Sequence, residues 1–439
     1  MQKIKNSLKN IDYKLFISLI ILGLGPTVYT TVRIFFIGQI PSEYAFSVAG
    51  QLSWVNLIYE ILNEAIILPL FYFLGAVVSD KAELVNRIKT GLIITFGVFL
   101  LLAVIIIVFA ETFLRIMATD ITILAESAAY IRLESMANVF SMSLSFVLVA
   151  LVTIGKAKYV YIVTMLKVIL GLIADLFLVS SLSFSIQLGV NGIAISNIIV
   201  NVLLLIVIQF FLKRESINLF SKDRCDFSWV KNFVKIGGLS GVESLIRNLA
   251  YMLMVVRMVN VVNEQGTYWI VNNFIWGWLL LPITQLAELI KRDCAADNNA
   301  IKDKTVGYLC ITATICLLWC VSIPLWGPFM SVVLRYDNVD KLIDLTLLLL
   351  GFYVLYAFQN IFDATFYGIG KTNYMIFESI VTNTVYYGGA FILYISGIWE
   401  PTLTGIALMF GCGMAFDSVV SFCAYLYLLK KRKINPLKN

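Results

Sequence analysis

Long apolar stretches, broken at intervals by short clusters of charge, Gly and Pro, set the pattern of this chain. About twelve such stretches stand out, each reaching the roughly 20 residues that a helix needs to cross the hydrocarbon core of a bilayer. They fall near 15–38, 49–79, 90–112, 124–154, 159–183, 189–213, 232–260, 268–290, 305–334, 341–369, 374–398 and 401–430. Each is continuously apolar and lacks the period-two alternation of a lipid-facing strand, so the pattern predicts helices and not a barrel. An even number of crossings puts both termini on one side.

Two pieces of the pattern recur. Thr153-Ile154-Gly155-Lys156 and Gly368-Ile369-Gly370-Lys371 each close one apolar stretch and open the next, and Gly192-Ile193-Ala194-Ile195 is echoed by Gly405-Ile406-Ala407-Leu408. The single long polar loop, 213–235, separates the first half of the stretches from the second. The expected fold is therefore all-α: a polytopic membrane protein of about 12 transmembrane helices in two six-helix lobes, 1–220 and 221–439, related by a pseudo-twofold axis along the membrane normal. Such paired lobes enclose a cavity that rocking opens to either side in turn.

Composition agrees: hydrophobic residues are 60% of the chain, charged residues 14%, and mean hydropathy is +0.89. Lys and Arg gather at alternate ends of the stretches, as at Lys3, Lys5, Lys9 and Lys14, at Lys81, Arg87 and Lys89, at Lys156 and Lys158, at Lys213, Arg214, Lys222 and Arg224, at Lys291, Arg292, Lys302 and Lys304, at Lys371, and at Lys430, Lys431, Arg432 and Lys433. The positive-inside rule makes these ends, and both termini, cytoplasmic. The net charge of +6 thus reads as topology and not as a nucleic-acid-binding face. The first stretch is too long for a removable signal peptide and is expected to be retained. Seven Cys, mostly within the stretches, suggest no disulfide framework.

Other chemistry is excluded by what is missing from the sequence. It has no His, which rules out an imidazole proton relay or zinc site, and no Gly-x-x-x-x-Gly-Lys-Ser/Thr motif or sizeable soluble domain for ATP. No nucleophile, base and orienting acid occur together, so an enzyme is not expected. Transport would run on an ion gradient or downhill, without a cofactor. A receptor or sensor would need a soluble domain, and none is evident.

In order along the chain stand Ile34-Phe35-Phe36-Ile37-Gly38-Gln39, Ser79-Asp80-Lys81-Ala82-Glu83, Tyr130-Ile131-Arg132, Ile154-Gly155-Lys156-Ala157-Lys158-Tyr159 and Gly189-Val190-Asn191-Gly192-Ile193-Ala194. In sequence and spacing these resemble the multidrug and toxic compound extrusion (MATE) family of the multidrug/oligosaccharidyl-lipid/polysaccharide flippase superfamily, over nearly the whole chain. The resemblance implies a secondary exporter, and it also exposes departures. Where archaeal and DinF-like members place an Asp in helix one, an Asn-x-x-x-Asp pair in helix five and a Thr in helix six around a coupling cation, this chain has Arg33, Gly171-x-x-x-Asp175 and Asn197. Exchanging a carboxylate for a guanidinium should abolish Na⁺ binding there. In the other branch, acids of helices seven and ten carry coupling; Glu243 and Asp363 lie on those helices, each displaced by about two turns from the family's positions.

Charges inside membrane helices cost at least ~2.5–3.5 kcal/mol unless paired or watered, so each is a candidate. Arg33 and Asp175 would face one another in the family's arrangement, either as a tethered cation standing in for an exchangeable one or as a structural ion pair. Glu243 and Arg247 are spaced for an intrahelical pair. Arg33, Lys167, Arg247 and Arg257 together suggest a basic cavity and an anionic substrate, unless Glu60, Glu64, Glu243 and Asp175 neutralise them. Glu60, Asn63 and Glu64 line up on one helix face that cannot look at lipid. Glu288 and Glu378 read as gate-side partners of Lys291, Arg292 or Lys371. Asp363, with Gln359 and Asn360 one turn before it, is the leading protonatable group. Trp276 and Tyr386 are the aromatic candidates for substrate contact.

The sequence therefore predicts a MATE-type secondary transporter exporting an amphiphilic small molecule by alternating access, an anionic one if the cavity is basic. It would be coupled to H⁺ through Asp363 or Glu243, with a degenerate Na⁺ site at Asp175 and Asn197. The alternative is a flippase for an anionic lipid-linked glycan. A monomer in the cytoplasmic membrane of a prokaryote, touching lipid and no nucleic acid, completes the expectation.

Overall fold

The computed structural model describes residues 2–42, 44–67, 69–219, 225–297 and 299–434. Continuous apolar sequence gives helix almost throughout, because within lipid the backbone's own bonds are the only partners its N–H and C=O groups can find. No strand occurs among the described residues. In chain order the helices are α1 (Gln2–Lys9), α2 (Tyr13–Ile37), α3 (Ala45–Gly50), α4 (Leu52–Ile66), α5 (Leu70–Gly75), α6 (Lys81–Ile116), α7 (Leu124–Thr153), α8 (Ala157–Leu178) and α9 (Val190–Arg214). After the long loop come α10 (Val230–Tyr251), α11 (Arg257–Val261), α12 (Gln265–Phe274), α13 (Leu281–Ala296), α14 (Ala300–Pro328), α15 (Val339–Gly368), α16 (Asn373–Val381), α17 (Gly388–Ile395) and α18 (Leu403–Arg432). π-Helical turns join several of them, at Met252–Val256, Ile275–Leu279, Phe329–Val333 and Thr382–Tyr387.

Ten helical runs among the described residues are long and apolar enough to cross a membrane, and the pair Gln265–Leu279 and Leu281–Ala296, bent by 50°, makes an eleventh if read as one span. About twelve were expected from the roughly 20-residue rule. The stretch near 374–398, built as α16, a π turn and α17, falls short because Asn373, Glu378, Ser379, Thr382, Asn383 and Thr384 make its first half polar. On the long helices, large apolar side chains point outward, Val321 75% and Leu317 67% exposed among them. Rows of this kind suit contact with lipid tails, and the chain is a multi-pass membrane protein.

The helices group into two compact units, Val32–Gly266, and Met1–Thr31 with Thr267–Asn439. The boundaries fall within α2 and α12, so they do not coincide with the division into 1–220 and 221–439 read from the long loop. Packing explains why α10 joins the helices before it. Gly237 and Gly241 of α10 lie against Ala65 just ahead of the end of α4: a Cβ on Gly237 would collide with the Ala65 carbonyl oxygen, and one on Gly241 would sit 2.8 Å from Ala65 Cβ. Small residues at this spacing let two membrane helices approach backbone to backbone, where dispersion and weak polar contacts hold them without a hydrophobic driving force. At the mouth of α10, Trp229 donates Nε1–H to Thr90 Oγ1 at 3.1 Å and meets Phe233 edge-on at 5.2 Å.

In the unit Met1–Thr31 with Thr267–Asn439, α15 packs on α13 and α18, and α1 lies on α14. Asp293 of α13 is almost fully buried but answered, accepting from Lys304 Nζ and from the Tyr308 hydroxyl, each at 2.7 Å. Trp278 Nε1 donates to Thr31 Oγ1 at 3.0 Å, spending a ring of α2's partner on a helix hydroxyl.

The repeated Gly-Lys turns are closed by the same bonds. Lys156 N–H reaches back to Leu151 O at 2.8 Å and Gly155 N–H to Val152 O at 2.9 Å; Lys371 N–H reaches Phe366 O at 2.9 Å and Gly370 N–H reaches Tyr367 O at 3.0 Å. Gly155 and Gly370 take φ of +76° and +67°, the left-handed conformation that this helix stop demands and glycine adopts without a Cβ penalty. At the first turn Lys156 Nζ lies 2.8 Å from Glu215, and its hydrogen bond and charge hold that carboxyl below the usual range. Asp80, of the Ser-Asp-Lys-Ala-Glu piece, is the N-cap of α6, accepting from the N–H groups of Ala82 and Glu83, both at 3.1 Å.

Candidate functional site

The unit Val32–Gly266 holds a buried polar cluster built from α2, α7, α8 and α9. Arg33 on α2 donates Nε to Asp175 Oδ2 at 2.6 Å and Nη2 to Oδ1 at 3.1 Å, and Asp175 on α8 is fully buried. This is the fork-to-carboxylate geometry in which both partners are satisfied. Asn197 on α9, at the family's Thr position, donates Nδ2 to Glu134 Oε1 at 2.8 Å. Glu134, 3% exposed on α7, was not singled out from the sequence, although an acid within the stretch 124–154 met the criterion applied to the others. Lys167, half-buried on α8, forms no ion pair among the described residues and lies within the fields of Arg33 and Glu134. Two bases and two acids thus stand together, one of the bases a guanidinium whose charge is permanent.

A second group sits where α4 meets α10. Arg247 lies 2.5 Å from Glu64 and 3.9 Å from Glu60, so the acids of the polar face on α4 neutralise one of the bases expected to line a basic cavity. Both ends are partly exposed. The side chain of Glu243, also on α10, lies outside the described residues. Arg257 on α11 donates Nε to Ile116 O at 2.9 Å, among its contacts.

The third group, in the other unit, changes the reading of Asp363. Asp363 on α15 does not stand alone: Gln359 Nε2 lies 2.7 Å from Glu378 Oε1 on α16, 2.7 Å from Asp417 Oδ2 on α18 and 3.2 Å from Asp363 Oδ2. Ser421 donates to Asp363 Oδ1 and Thr382 to Asp417 Oδ1, both at 2.6 Å. Spacing along α15 alone cannot reveal acids that arrive from α16 and α18. Glu378 is not a gate-side partner of a lysine, being 3% exposed and turned inward to Gln359; Glu288, by contrast, meets Lys291 at 2.7 Å. Asp417 was not singled out from the sequence either, although its charge in the otherwise apolar stretch 401–430 was the available signal.

Of the aromatic candidates, Trp276 is 40% exposed and leans on Tyr356 at 5.6 Å and Tyr353 at 6.5 Å. The Tyr386 hydroxyl is already committed to Met409 O at 2.7 Å, with the ring stacked on Phe416. Among the described residues no group of three or more His, Cys, Asp or Glu side chains is disposed to hold a metal ion.

No protein-family model and no curated protein matches the sequence. Solved structures do match. An inward-facing multidrug resistance MATE family transporter of the MOP superfamily superposes with a TM-score of 0.75 at 19% identity, covering 95% of each chain. An outward-facing structure so described gives 0.69 at 16% identity and 99% of each chain. A MOP superfamily transporter from Pyrococcus furiosus, described as having a binding pocket of reverse polarity that suggests a different function, gives 0.65 at 17% identity and 99% of each chain. The chain has the fold of the MATE family transporters of the MOP superfamily.

Proposed function

We propose that the protein is a MATE-type secondary transporter that exports an amphiphilic organic compound from the cytoplasm by alternating access, coupled to protons and with a degenerate sodium site in its N-terminal half. The observation that carries this reading is the Arg33–Asp175 pair inside a fold matched along nearly its whole length by MATE transporters. A guanidinium cannot release its proton at accessible pH, so the one acid retained from the family's cation site is held by a fixed charge. Coupling then rests on Asp363, which has no cation bonded to it among the described residues. Both termini are assigned to the cytoplasm of a prokaryotic cell, and the protein is assigned as a monomer.

Pairing narrows the case for an anionic substrate. Arg33 and Arg247 are answered by acids and Arg257 donates to the Ile116 carbonyl among its contacts, so Lys167, with no ion pair among the described residues, is the base that most supports it. The Pyrococcus furiosus neighbour described with reversed pocket polarity favours keeping anions in view, and with them the second reading, a flippase for an anionic lipid-linked glycan.

Reconstitution in vesicles tests both. Uptake of matched anionic and cationic dyes is compared under a pH gradient and under a Na⁺ gradient. Dye transport driven by pH and indifferent to Na⁺ supports the exporter; Na⁺-driven transport overturns the degenerate site, and transport of neither dye moves the assignment to a lipid-linked substrate.

A further inference from the structure

Three carboxyl groups share one neutral amide where α15, α16 and α18 meet. Gln359 Nε2 carries two hydrogens, yet it faces Asp363, Glu378 and Asp417 at 3.2, 2.7 and 2.7 Å. The amide is set with Nε2 toward the acids, since Oε1 turned that way would confront three carboxyls; Oε1 lies instead 2.8 Å from the Ser418 hydroxyl. Hydroxyls from Thr382 and Ser421 supply one hydrogen bond each to Asp417 and Asp363. Glu378 Oε2 is left buried with no donor among the described residues, although the residue is 3% exposed, and the Glu378 and Asp417 carboxyls are within hydrogen-bonding reach of each other.

Two carboxylate oxygens at that separation both accept and neither donates, so something positive must lie between them. None of the three acids forms an ion pair among the described residues; Lys291 on α13 acts on Asp363 only through its field and is itself bonded to Glu288. A metal ion has no room, since the point on which the three acids converge is filled by Gln359 Nε2. What remains is a proton: like charges this close cannot all ionise in a medium that solvates them poorly.

We propose that Glu378 and Asp417 hold one shared proton, with Asp363 as the alternative acceptor on the same amide, and that this cluster is where the transporter takes up and releases its proton. The proposal rests on the transporter reading above and extends it from Asp363 to two acids on other helices. Release is an ordinary acid dissociation: the O–H bond of the shared proton breaks, its electron pair stays on the carboxylate, and Gln359 and Thr382 remain as donors to the anion. Thr382 opens the π turn Thr382–Tyr387, and its hydroxyl is bonded to Asp417, so loss or gain of the proton acts directly on the irregular part of that span. Single π turns recur at functional positions in helices, where the looser backbone can change register.

Two measurements on the full chain test this. Infrared difference spectroscopy of the purified protein in nanodiscs, titrated around neutral pH, should give a protonated-carboxyl band in the wild type that is lost in Glu378→Gln and in Asp417→Asn but kept in the Gly238→Ala control. In vesicles, pH-driven dye uptake should fall at least tenfold in both variants while dye binding holds. No band in the wild type, or a band untouched by both substitutions, overturns the shared proton. A band that is lost while pH-driven uptake is undiminished overturns the coupling role. Failure of wild-type uptake with every dye counts against the transporter reading instead, and the infrared result still decides whether the proton is there. A melting temperature that rises with Na⁺ in the wild type and not in Asp417→Asn would replace the proton with a metal ion.

Discussion

Arg33 and Asp175, on α2 and α8, are joined by two hydrogen bonds of 2.6 and 3.1 Å, with the carboxylate fully buried and the Arg33 side chain 14% exposed. A pair of this kind is weak evidence for net stability, since desolvation opposes the attraction, but removing one partner strands the other. Arg33→Gln should therefore lower stability by about 3–5 kcal/mol, read as a fall in melting temperature in detergent. Arg33→Asp should do the same in choline chloride and recover in NaCl, because two facing acids then recreate a demand for an exchangeable cation. Melting of Arg33→Asp that is identical in the two salts would show that the guanidinium does not stand in for an ion.

Gly237 and Gly238 are neighbours with opposite surroundings. A Cβ on the first meets the Ala65 carbonyl; on the second it meets nothing within 4 Å. Gly237→Ala is expected to force α10 off α4 at a net loss of about 1–3 kcal/mol, the usual penalty of overpacking. Gly238→Ala should instead gain up to about 1 kcal/mol from helix propensity. Thermal melting of the two variants side by side checks the close approach, and equal shifts would refute it.

The Arg247–Glu64 pair is short at 2.5 Å but partly exposed at both ends, 37% and 23% by side chain. A double-mutant cycle of Arg247→Gln and Glu64→Gln should give a coupling of about 1 kcal/mol or less. A coupling several times larger would mean that water does not reach the pair.

Asp363→Asn should abolish pH-driven uptake in vesicles and leave dye binding intact, because the amide keeps the hydrogen bond from Ser421 and loses only the ability to ionise. Uptake that persists under a pH gradient would remove Asp363 from the coupling path.

The helices and their broad limits were legible because lipid imposes one demand on the backbone, and long apolar runs answer it visibly. Arg33, Asp175, Arg247, Glu60 and Glu64 were legible for the same reason, as charges that could not be left to lipid. Partners were harder to read. Asp363 found its neighbours on α16 and α18, at sequence distances where periodicity carries no information. Gly237-x-x-x-Gly241 marks the close approach of α10 to α4 in the sequence itself, whereas the long loop marks a division, 1–220 and 221–439, whose limits differ from those of the two compact units. The span near 374–398 lost its apolar signature to the polar residues that build the carboxyl cluster.

The two glycine turns also meter length. α7 and α15, the helices they end, each run 30 residues. At 1.5 Å per residue that is about 45 Å, the thickness of a bilayer with its headgroups. The stop is set by backbone bonds at a fixed point, so deleting one residue upstream would turn every side chain before it by about 100° while leaving the lysine after it at the same surface. For α15 a deletion between Asp363 and the stop, as of Ala364, would by that rotation carry Gln359 and Asp363 away from Glu378 and Asp417, so one missing apolar residue would dismantle the carboxyl cluster as surely as replacing an acid.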